Sequence, residues 1–473
     1  MTGWGILGRG LLVALGLSIA GECAHGQVQG RDFELGPCAG GRGGAPTECG
    51  RLTVFENRAA RSGRRIDIHF MVIRADQPGV RRASFLFAGG PGQGSTMMAP
   101  LANGWARPLR ATQDIVMVDQ RGTGRSHPLH CPFNREADPA AAFGHVFDPE
   151  AVARCRAALE QDADLTQYTT DHAVEDVEDI RARLGYERVS VFGGSYGTRM
   201  AQAYVRRYPG RVSAVVLDGV VPFDNAVPLT YARSAQQALD RVFAACATIP
   251  SCSQAHPRPA DDMAAILRRL IAAPARAAVT QRTGPPVTVH VSAGDFAYAV
   301  RGILYSASTA MELPDLLGRA TATGDLTEFA QRYFDREVGF AGTLAHGVHF
   351  SVLCSEDVAF PTERDIVEAT SGTFIGRYLF DQYRLACGRW PRAAIRPDAR
   401  TPVAARVPTL LISGWFDPST PPAFAERVAR SLPESRLVVS PTTAHGSVTG
   451  CARPAAVHVL ASGSFAGMPE VCK

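Results

Sequence analysis

The sequence has little excess of charge of one sign and no run of basic residues. Its 49 lysine and arginine residues stand against 45 acidic residues, which gives a formal net charge of +4. Because nucleic-acid-binding chains concentrate positive charge in clusters, we expect no nucleic-acid partner. Lysine is almost missing, since Lys473 is the single one. The basic residues are therefore nearly all arginine, which indicates a compositional bias of the source genome.

Motifs for metal ions and nucleotide cofactors are also lacking. The cysteines do not have the spacing of a metal site. His346 and His349 resemble a metal pair only weakly, and we interpret them as part of a loop in the insertion described below. The glycine-rich segment 89–92 has neither the Lys-Ser/Thr of a P-loop nor the spacing of a dinucleotide fingerprint. We therefore expect neither a metal ion nor an organic cofactor.

Long hydrophobic runs are missing too, because the apolar segment 11–21 is too short to span a bilayer. We expect no stable membrane span. Residues 1–26 instead predict a secretory signal with Arg9 as its positive residue and cleavage after Gly26. Cys23 raises lipidation as an alternative, which Glu22 directly before it disfavours. The predicted location is secreted or periplasmic.

The cysteine count supports export. The sequence has eleven cysteines, and removal of the signal would leave ten. An even number in an exported chain indicates disulfide bonds. The connectivity does not follow from the sequence, and the simplest pairing joins neighbours: Cys38 with Cys49, Cys131 with Cys155, Cys246 with Cys252, Cys354 with Cys387, and Cys451 with Cys472.

The feature that points most directly to chemistry is the segment 193–197, Gly-Gly-Ser-Tyr-Gly. An apolar strand precedes it and a helical pattern follows, so we predict a nucleophile elbow with Ser195 as the nucleophile. A side chain at Gly193 or Gly197 would collide with neighbouring elements there. A plain glycine-rich turn is the alternative interpretation.

A nucleophilic serine needs a base and an acid that orients the base. In folds with a nucleophile elbow, the acid follows one late strand of the sheet and the base follows a later one. Asp417 follows the apolar strand 407–414, and His445 follows the strand 436–439. Asp218, at the end of an earlier strand, is the competing acid, and we favour Asp417.

The oxyanion hole needs two N–H donors. One is the backbone N–H of Tyr196, the residue after the nucleophile. The other should lie in the glycine loop 89–92 after the strand 83–88, and we predict Gly90. Each such donor contributes roughly a hundred- to thousandfold in rate.

The alternation of strand-like and helix-like segments along the rest of the chain predicts an α/β fold. With 46% apolar residues in 473, the chain can form one large or two ordinary domains. We expect a mostly parallel central sheet with helices on both faces, formed by residues 27–222 and 401–473. Residues 223–400 interrupt the alternation and predict a mainly helical cap over the strand ends. We expect a helical run at 313–334 and a glycine-rich entry segment at 27–50.

Three ordered motifs resemble the proline iminopeptidase and tripeptidyl aminopeptidase family of α/β-hydrolases. They are Ala-Gly-Gly-Pro-Gly at 88–92, Asp-Gln-Arg-Gly-Thr-Gly-Arg-Ser at 119–126, and the elbow at 193–197. The positions of the late acid and base fit, and the C-terminal part resembles the tripeptidyl aminopeptidase branch. The small iminopeptidases usually have His where this chain has Ala88, which favours the larger, secreted branch and weakens strict N-terminal proline specificity.

The resemblance implies cleavage of a peptide substrate with a free N-terminus. A buried ammonium group must be paired with a carboxylate, and the segment 351–357 resembles an acidic motif of the tripeptidyl aminopeptidase branch. Glu356 and then Asp357 are our predicted substrate-binding acids, with a surface acidic pair as the alternative.

The predicted function is a secreted serine exopeptidase that acts through Ser195, His445 and Asp417. A carboxylesterase with the same triad, acting on a small ester, is one alternative. A catalytically silent binding protein with this fold is another. The sequence does not indicate how many residues each cut releases.

Overall fold

The computed structural model describes residues 1, 28–30, 32–38, 46–133 and 138–472. The predicted signal segment, Met1 aside, and Cys23 fall outside this part of the chain. Within it, no helix combines the length and apolar character needed to cross a bilayer.

A ten-stranded sheet forms the centre of the molecule, with the order β1-β2-β3-β4-β6-β5-β7-β8-β11-β12. The first five strands in this order pair antiparallel, and the pairs from β6 to β12 are parallel. A separate hairpin joins β9 and β10. The strands are β1 (Val28–Gly30), β2 (Phe33–Pro37), β3 (Thr47–Phe55), β4 (Arg65–Ile73), β5 (Ala83–Phe87), β6 (Asp114–Val118), β7 (Val189–Gly194), β8 (Val212–Asp218), β9 (Ala275–Val279), β10 (Val287–Val291), β11 (Thr409–Gly414) and β12 (Ser435–Ser440).

Helices cover both faces of the sheet and fill the stretch between β8 and β11. They are α1 (Ala99–Asn103), α2 (Pro149–Leu159), α3 (Thr170–Arg183), α4 (Tyr196–Arg207), α5 (Val227–Thr248), α6 (Pro250–Ala255), α7 (Pro259–Ala272), α8 (Ala293–Ile303), α9 (Ala307–Ala310), α10 (Leu313–Thr323), α11 (Thr327–Ala341), α12 (His346–Glu356), α13 (Glu363–Thr370), α14 (Tyr378–Cys387), α15 (Pro422–Ala429) and α16 (Arg453–Ser462).

Side-chain alternation explains why the parallel strands are apolar throughout. In β5, Phe85 and Phe87 belong to the core on one face of the sheet, whereas Leu86 belongs to the core on the other face. Every residue of β5, β6 and β11 is buried. Strands covered on both faces read as continuous apolar runs, which is why the sequence located them. This architecture confirms the predicted α/β fold.

One detail differs from the sequence prediction. The predicted helical run 313–334 is two helices, because Gly324 adopts φ +81° and ends α10 before α11 begins. A left-handed residue ends a helix, and glycine takes that conformation without steric cost. In the glycine-rich entry segment 27–50, the described residues form β1, β2 and the start of β3 at the edge of the sheet.

Disulfide bonds join five pairs of cysteines in the described residues. They are Cys38–Cys49, Cys131–Cys155, Cys246–Cys252, Cys354–Cys387 and Cys451–Cys472. These are the sequence neighbours that the simplest pairing joined. Each bond closes a short loop within one region, so the core, the cap and the C-terminus are cross-linked separately.

Candidate active site

Ser195 lies at the tight turn between β7 and α4, where the elbow was predicted. Its backbone has φ 55° and ψ −124°, a conformation that costs a residue with a side chain on the order of 1–3 kcal/mol. A Cβ atom on Gly193 would lie 2.2 Å from the Gly197 carbonyl oxygen, and one on Gly197 would lie 2.2 Å from that of Phe87. The turn therefore requires both glycines, and it holds Ser195 at the carboxyl end of β7.

Asp417 and His445 lie in the loops after β11 and β12, which are adjacent strands. His445 Nδ1 is 2.8 Å from Asp417 Oδ2. Asp417 is 1% exposed, and its Oδ1 accepts the backbone N–H groups of Ser419 and Thr420, each at 2.8 Å. A carboxylate at Nδ1 fixes the tautomer of the ring in which Nε2 accepts a proton.

The two side chains shift each other's pKa. Burial alone would lower the pKa of His445, but the Asp417 carboxylate outweighs burial and raises it to about 9. Burial would raise the pKa of Asp417, whereas His445 and the hydrogen bonds from Thr420 hold it below its usual value. The geometry therefore strengthens the basicity of the imidazole.

Asp218, the competing acid, has a different set of partners. Its two oxygens accept the backbone N–H groups of Ser447 and Val448 at 2.9 and 3.0 Å, and burial raises its pKa to about 6. Asp218 thus holds the segment after His445, whereas Asp417 contacts the imidazole ring itself.

The glycine loop 89–92 packs directly against the elbow. A Cβ atom on Gly89 would lie 3.1 Å from Ser195 Cβ, and Gly90 has φ +111°. Tyr196 is the first residue of the twelve-residue helix α4, whose first N–H groups have no partner within the helix. Gly90, Ser195 and Tyr196 line one cavity. The assignment of two N–H groups to an oxyanion stays a prediction.

Helix α12 supports this loop. His349 Nδ1 lies 2.9 Å from the Pro91 carbonyl oxygen, and His349 Nε2 lies 3.1 Å from the Tyr383 hydroxyl. Burial lowers the pKa of His349 to about 4, so the neutral ring donates from Nδ1 and accepts at Nε2. The Ala345 N–H also donates to the Gly92 carbonyl at 2.9 Å.

His346 and His349, whose spacing resembles that of a metal-binding pair, therefore both contact other protein groups. His349 contacts Pro91 and Tyr383, and His346 packs edge-on against Phe133 with 4.8 Å between ring centroids. In the part of the chain that the structure describes, no three metal-ligating side chains are grouped.

A cavity of about 510 Å³ lies over the carboxyl ends of the strands, between the sheet and the cap. Ser195, Tyr196 and His445 form its floor. Ligands bind at this edge of open α/β sheets. The cap contributes aromatic and charged side chains to its wall: Tyr231, Tyr298, Arg301, Tyr305, Arg336 and Glu337.

The cap contacts the acid and base loops directly. The His445 N–H donates to the Tyr305 carbonyl at 3.2 Å. Arg301 Nη2 donates to the Tyr305 hydroxyl at 2.7 Å and to Ser419 Oγ at 2.8 Å. Burial would raise the pKa of Tyr305, but the guanidinium groups of Arg301 and Arg336 lower it. The cap thus brings positive charge to the side of the cavity that holds His445.

Glu356 and Asp357, predicted to bind substrate, are not among the residues that line the cavity. Glu356 accepts the N–H and the hydroxyl of Thr170 at 2.8 and 2.7 Å. Asp357, fully buried, pairs with Arg199 through contacts of 2.7 and 3.0 Å. Protein groups occupy both carboxylates, so the geometry does not support direct contact with a substrate.

Sequence reasoning missed the charged residues that the cap brings to the cavity, namely Arg301, Arg336 and Glu337. No motif contains them. One signal was present, because Tyr298 and Arg301 are three residues apart, which places side chains on one face of a helix. Tyr305 lies just beyond the end of α8 at Ile303, so the helical spacing alone did not indicate its position.

Two family models match separate parts of the chain. A family model described as the alpha/beta hydrolase fold matches residues 85–260, and one described as TAP-like protein matches residues 372–472. Serine protease Hip1 from Mycobacterium tuberculosis is 27% identical over 382 residues, which cover 75% of this chain and 73% of that protein.

Two further relatives match over shorter stretches. Tripeptidyl aminopeptidase from Streptomyces lividans is 31% identical and covers 37% of this chain and 36% of its own. Proline iminopeptidase from Neisseria gonorrhoeae is 32% identical and covers 28% and 30%. A solved proline iminopeptidase from Mycobacterium smegmatis aligns over 88% of this chain and 99% of its own, with a TM-score of 0.42 and 15% identity. The chain has the α/β-hydrolase fold and is a serine hydrolase, and it is similar to proteins named tripeptidyl aminopeptidase, proline iminopeptidase and serine protease Hip1.

Proposed function

We propose that this protein is an exported serine exopeptidase that removes N-terminal residues or short peptides. One observation carries the proposal: Ser195 and His445 line the same cavity, and Asp417 holds His445 through Nδ1 at 2.8 Å. The five disulfide bonds favour an oxidising location, since such bonds persist in secreted and periplasmic proteins.

The proposed reaction follows from these groups. His445 accepts the Ser195 hydroxyl proton at Nε2 while Ser195 Oγ attacks the scissile carbonyl carbon. The N–H groups of Gly90 and Tyr196 stabilise the oxyanion, and His445 then protonates the leaving amine. Water, deprotonated by the same imidazole, hydrolyses the acyl-enzyme and restores Ser195.

An exopeptidase that recognises a free amino group needs a carboxylate on the cavity wall. Asp218 and Glu337 are the acids that line this cavity in the described residues. Asp218 ends β8 in the core, whereas Glu337 lies on α11 in the cap. Because the cap wall faces the substrate, we assign the substrate ammonium group to Glu337, in place of Glu356 and Asp357. A carboxylate in the cap favours a peptidase over a carboxylesterase, whose cap cavity would be wholly apolar.

The direct test is hydrolysis of three substrates by the purified mature protein: a free-amino tripeptidyl amide, its N-acetylated form, and a short acyl ester. Cleavage of the free-amino peptide with loss on acetylation is the expected result. Cleavage of the ester alone would establish the carboxylesterase instead. Failure to react with a fluorophosphonate probe would indicate a catalytically silent protein.

A variant of the nucleophile tests the mechanism as a whole. Ser195→Ala should lower kcat by about a millionfold without unfolding the protein.

Variants of Asp417 and Asp218 separate the roles of these two acids. Asp417→Asn should lower kcat by about ten-thousandfold, because the ring loses its tautomer. Asp218→Asn is the matched control and should cost far less, since Asp218 holds only the backbone after His445. Equal losses in the two Asn variants would contradict the assignment of Asp417.

A further inference from the structure

Three arginine side chains are almost completely buried, and one of them differs from the others. Arg121 and Arg199 are each 1% exposed and Arg301 is 2% exposed. Arg121 pairs with Asp176 at 2.7 Å and Arg199 with Asp357 at 2.7 Å. Arg301 forms no ion pair with any residue that the structure describes.

The partners of Arg301 are neutral. Its Nη2 donates to the hydroxyls of Tyr305 and Ser419, and its guanidinium carbon lies 3.9 Å from the centre of the Tyr231 ring. Its Nε is buried without a hydrogen-bond partner. An arginine cannot lose its proton in a protein, and a buried charge without a counter-ion is strongly unfavourable. A ligand anion would supply the missing charge.

The surroundings of Arg301 add to the positive charge. Arg336, on the neighbouring helix α11, lies with its guanidinium carbon 4.3 Å from the centre of the Tyr305 ring and also lines the cavity. The nearest catalytic carboxylate, Asp417, is occupied by His445 and by backbone N–H groups. Glu337 is the one acid that α11 adds to this wall.

The site lies beside the proposed catalytic centre. Ser419, which Arg301 contacts, is two residues from Asp417, and Tyr305 accepts the backbone N–H of His445. Arg301 and Ser195 line the same cavity, so a group bound at Arg301 belongs to the same substrate that Ser195 would attack.

We propose that Arg301, with Arg336 beside it, binds a carboxylate group of the substrate next to the scissile bond. This proposal rests on the proposed peptidase function. The carboxylate has two sources in a peptide: the side chain of an acidic residue flanking the bond, or the free C-terminus of a short peptide. Planar guanidinium groups match carboxylates in either case.

Matched substrate pairs identify the source. Each pair differs in one charge: Glu or Gln on the acyl side of the bond, Glu or Gln on the leaving side, and a free or amidated C-terminus. The expected result is a kcat/KM about 10- to 100-fold higher for the acidic member of one pair. Ratios within about twofold in all three pairs would overturn the proposal.

Arg301→Met should bring the preferred ratio to about one, because the acidic member loses more kcat/KM than the neutral member does. Arg332→Met is the matched control, because it also removes one positive charge from the cap, at an arginine that pairs with Glu312 and Glu328 and is not among the residues that line the cavity. The ratio should survive in that control. Loss of the ratio in both variants would indicate a general charge effect and contradict the site.

A binding measurement keeps this proposal separate from the peptidase assignment. Glutarate should slow fluorophosphonate labelling of the wild-type protein at concentrations where glutaramide does not, whether or not peptides are cleaved. If peptides are not cleaved but glutarate protects, the peptidase assignment fails and the carboxylate site stands. Equal protection by glutarate and glutaramide would overturn the site.

Discussion

Arg199 and Arg301 are two buried arginines that line the same cavity, yet only the charge of Arg199 is paired with a carboxylate of the protein. Arg199 lies on α4 behind the nucleophile, and Asp357 pairs with it at 2.7 and 3.0 Å. Arg301 lies in the cap and has only tyrosine and serine partners. A cation paired by the protein itself serves the fold, whereas one without a counter-ion is available to a ligand. The comparison separates a side of the cavity where a carboxylate of the protein neutralises the buried charge from a side where a ligand anion would neutralise it.

Breaking the Arg199 pair should have the largest effect on folding. Asp357→Asn leaves Arg199 buried without a counter-ion and should lower the free energy of unfolding by about 3–5 kcal/mol. Chemical denaturation at neutral pH measures the change. A loss below about 1 kcal/mol would mean that Arg199 does not depend on Asp357.

The pair of His445 and Asp417, like that of Arg199 and Asp357, is formed within the protein. It should determine how the reactivity of Ser195 depends on pH. The pKa of His445 is raised to about 9, and the protonated ring cannot accept the Ser195 proton. The rate of labelling by a neutral fluorophosphonate should therefore fall about tenfold for each pH unit below 9. A rate that is flat between pH 6 and 9 would contradict this role of His445.

Glu356 extends the comparison to an acid whose side-chain hydrogen bonds come from a neutral residue, Thr170. Burial raises its pKa to about 7 from a usual value of 4.5. Since the folded state holds this proton more tightly, the stability that Glu356 contributes is present below about pH 4.5 and lost as pH rises through 7. Glu356→Gln should therefore gain stability relative to the wild type from pH 5 to 8, by an amount on the order of 1–3 kcal/mol. Denaturation at both pH values tests the sign.

Arg301→Met should have the smallest effect on stability. Replacing an unpaired buried charge by an apolar side chain should leave the free energy of unfolding within about 1 kcal/mol of the wild type, or raise it. The same denaturation curves used for Asp357→Asn measure it. A loss of several kcal/mol would show that Arg301, like Arg199, serves the fold.

The sequence predicted the parts of the site that local chemistry determines. Ser195 was found because a strand, two obligatory glycines and a helix surround it. Asp417 and His445 were placed by their order after late strands, and the structure brings them to 2.8 Å. Their catalytic roles remain predictions until the variants are measured.

The cap was less predictable, for a physical reason. Its helices are amphipathic, and which charged residue faces the cavity depends on how the helices pack against one another. Glu356 and Asp357 were predicted to face the substrate, but Thr170 and Arg199, distant in sequence, occupy them. Gly324 was a local signal for the break between α10 and α11, because a glycine within a helical pattern often marks its end.

Helix α12 has a consequence for how this architecture can be recombined. It belongs by sequence to the insertion, but it packs as part of the core. Ala345 and His349 hold the glycine loop, and a Cβ atom on Gly347 would lie 2.6 Å from Leu129 Cβ. A chimera that exchanged residues 223–400 for the cap of a relative would also replace the helix that supports the glycine loop 89–92. A cap of this type can therefore be exchanged only together with the glycine loop that its α12 contacts. An exchange that alters substrate range would for this reason also alter the part of the site next to Ser195.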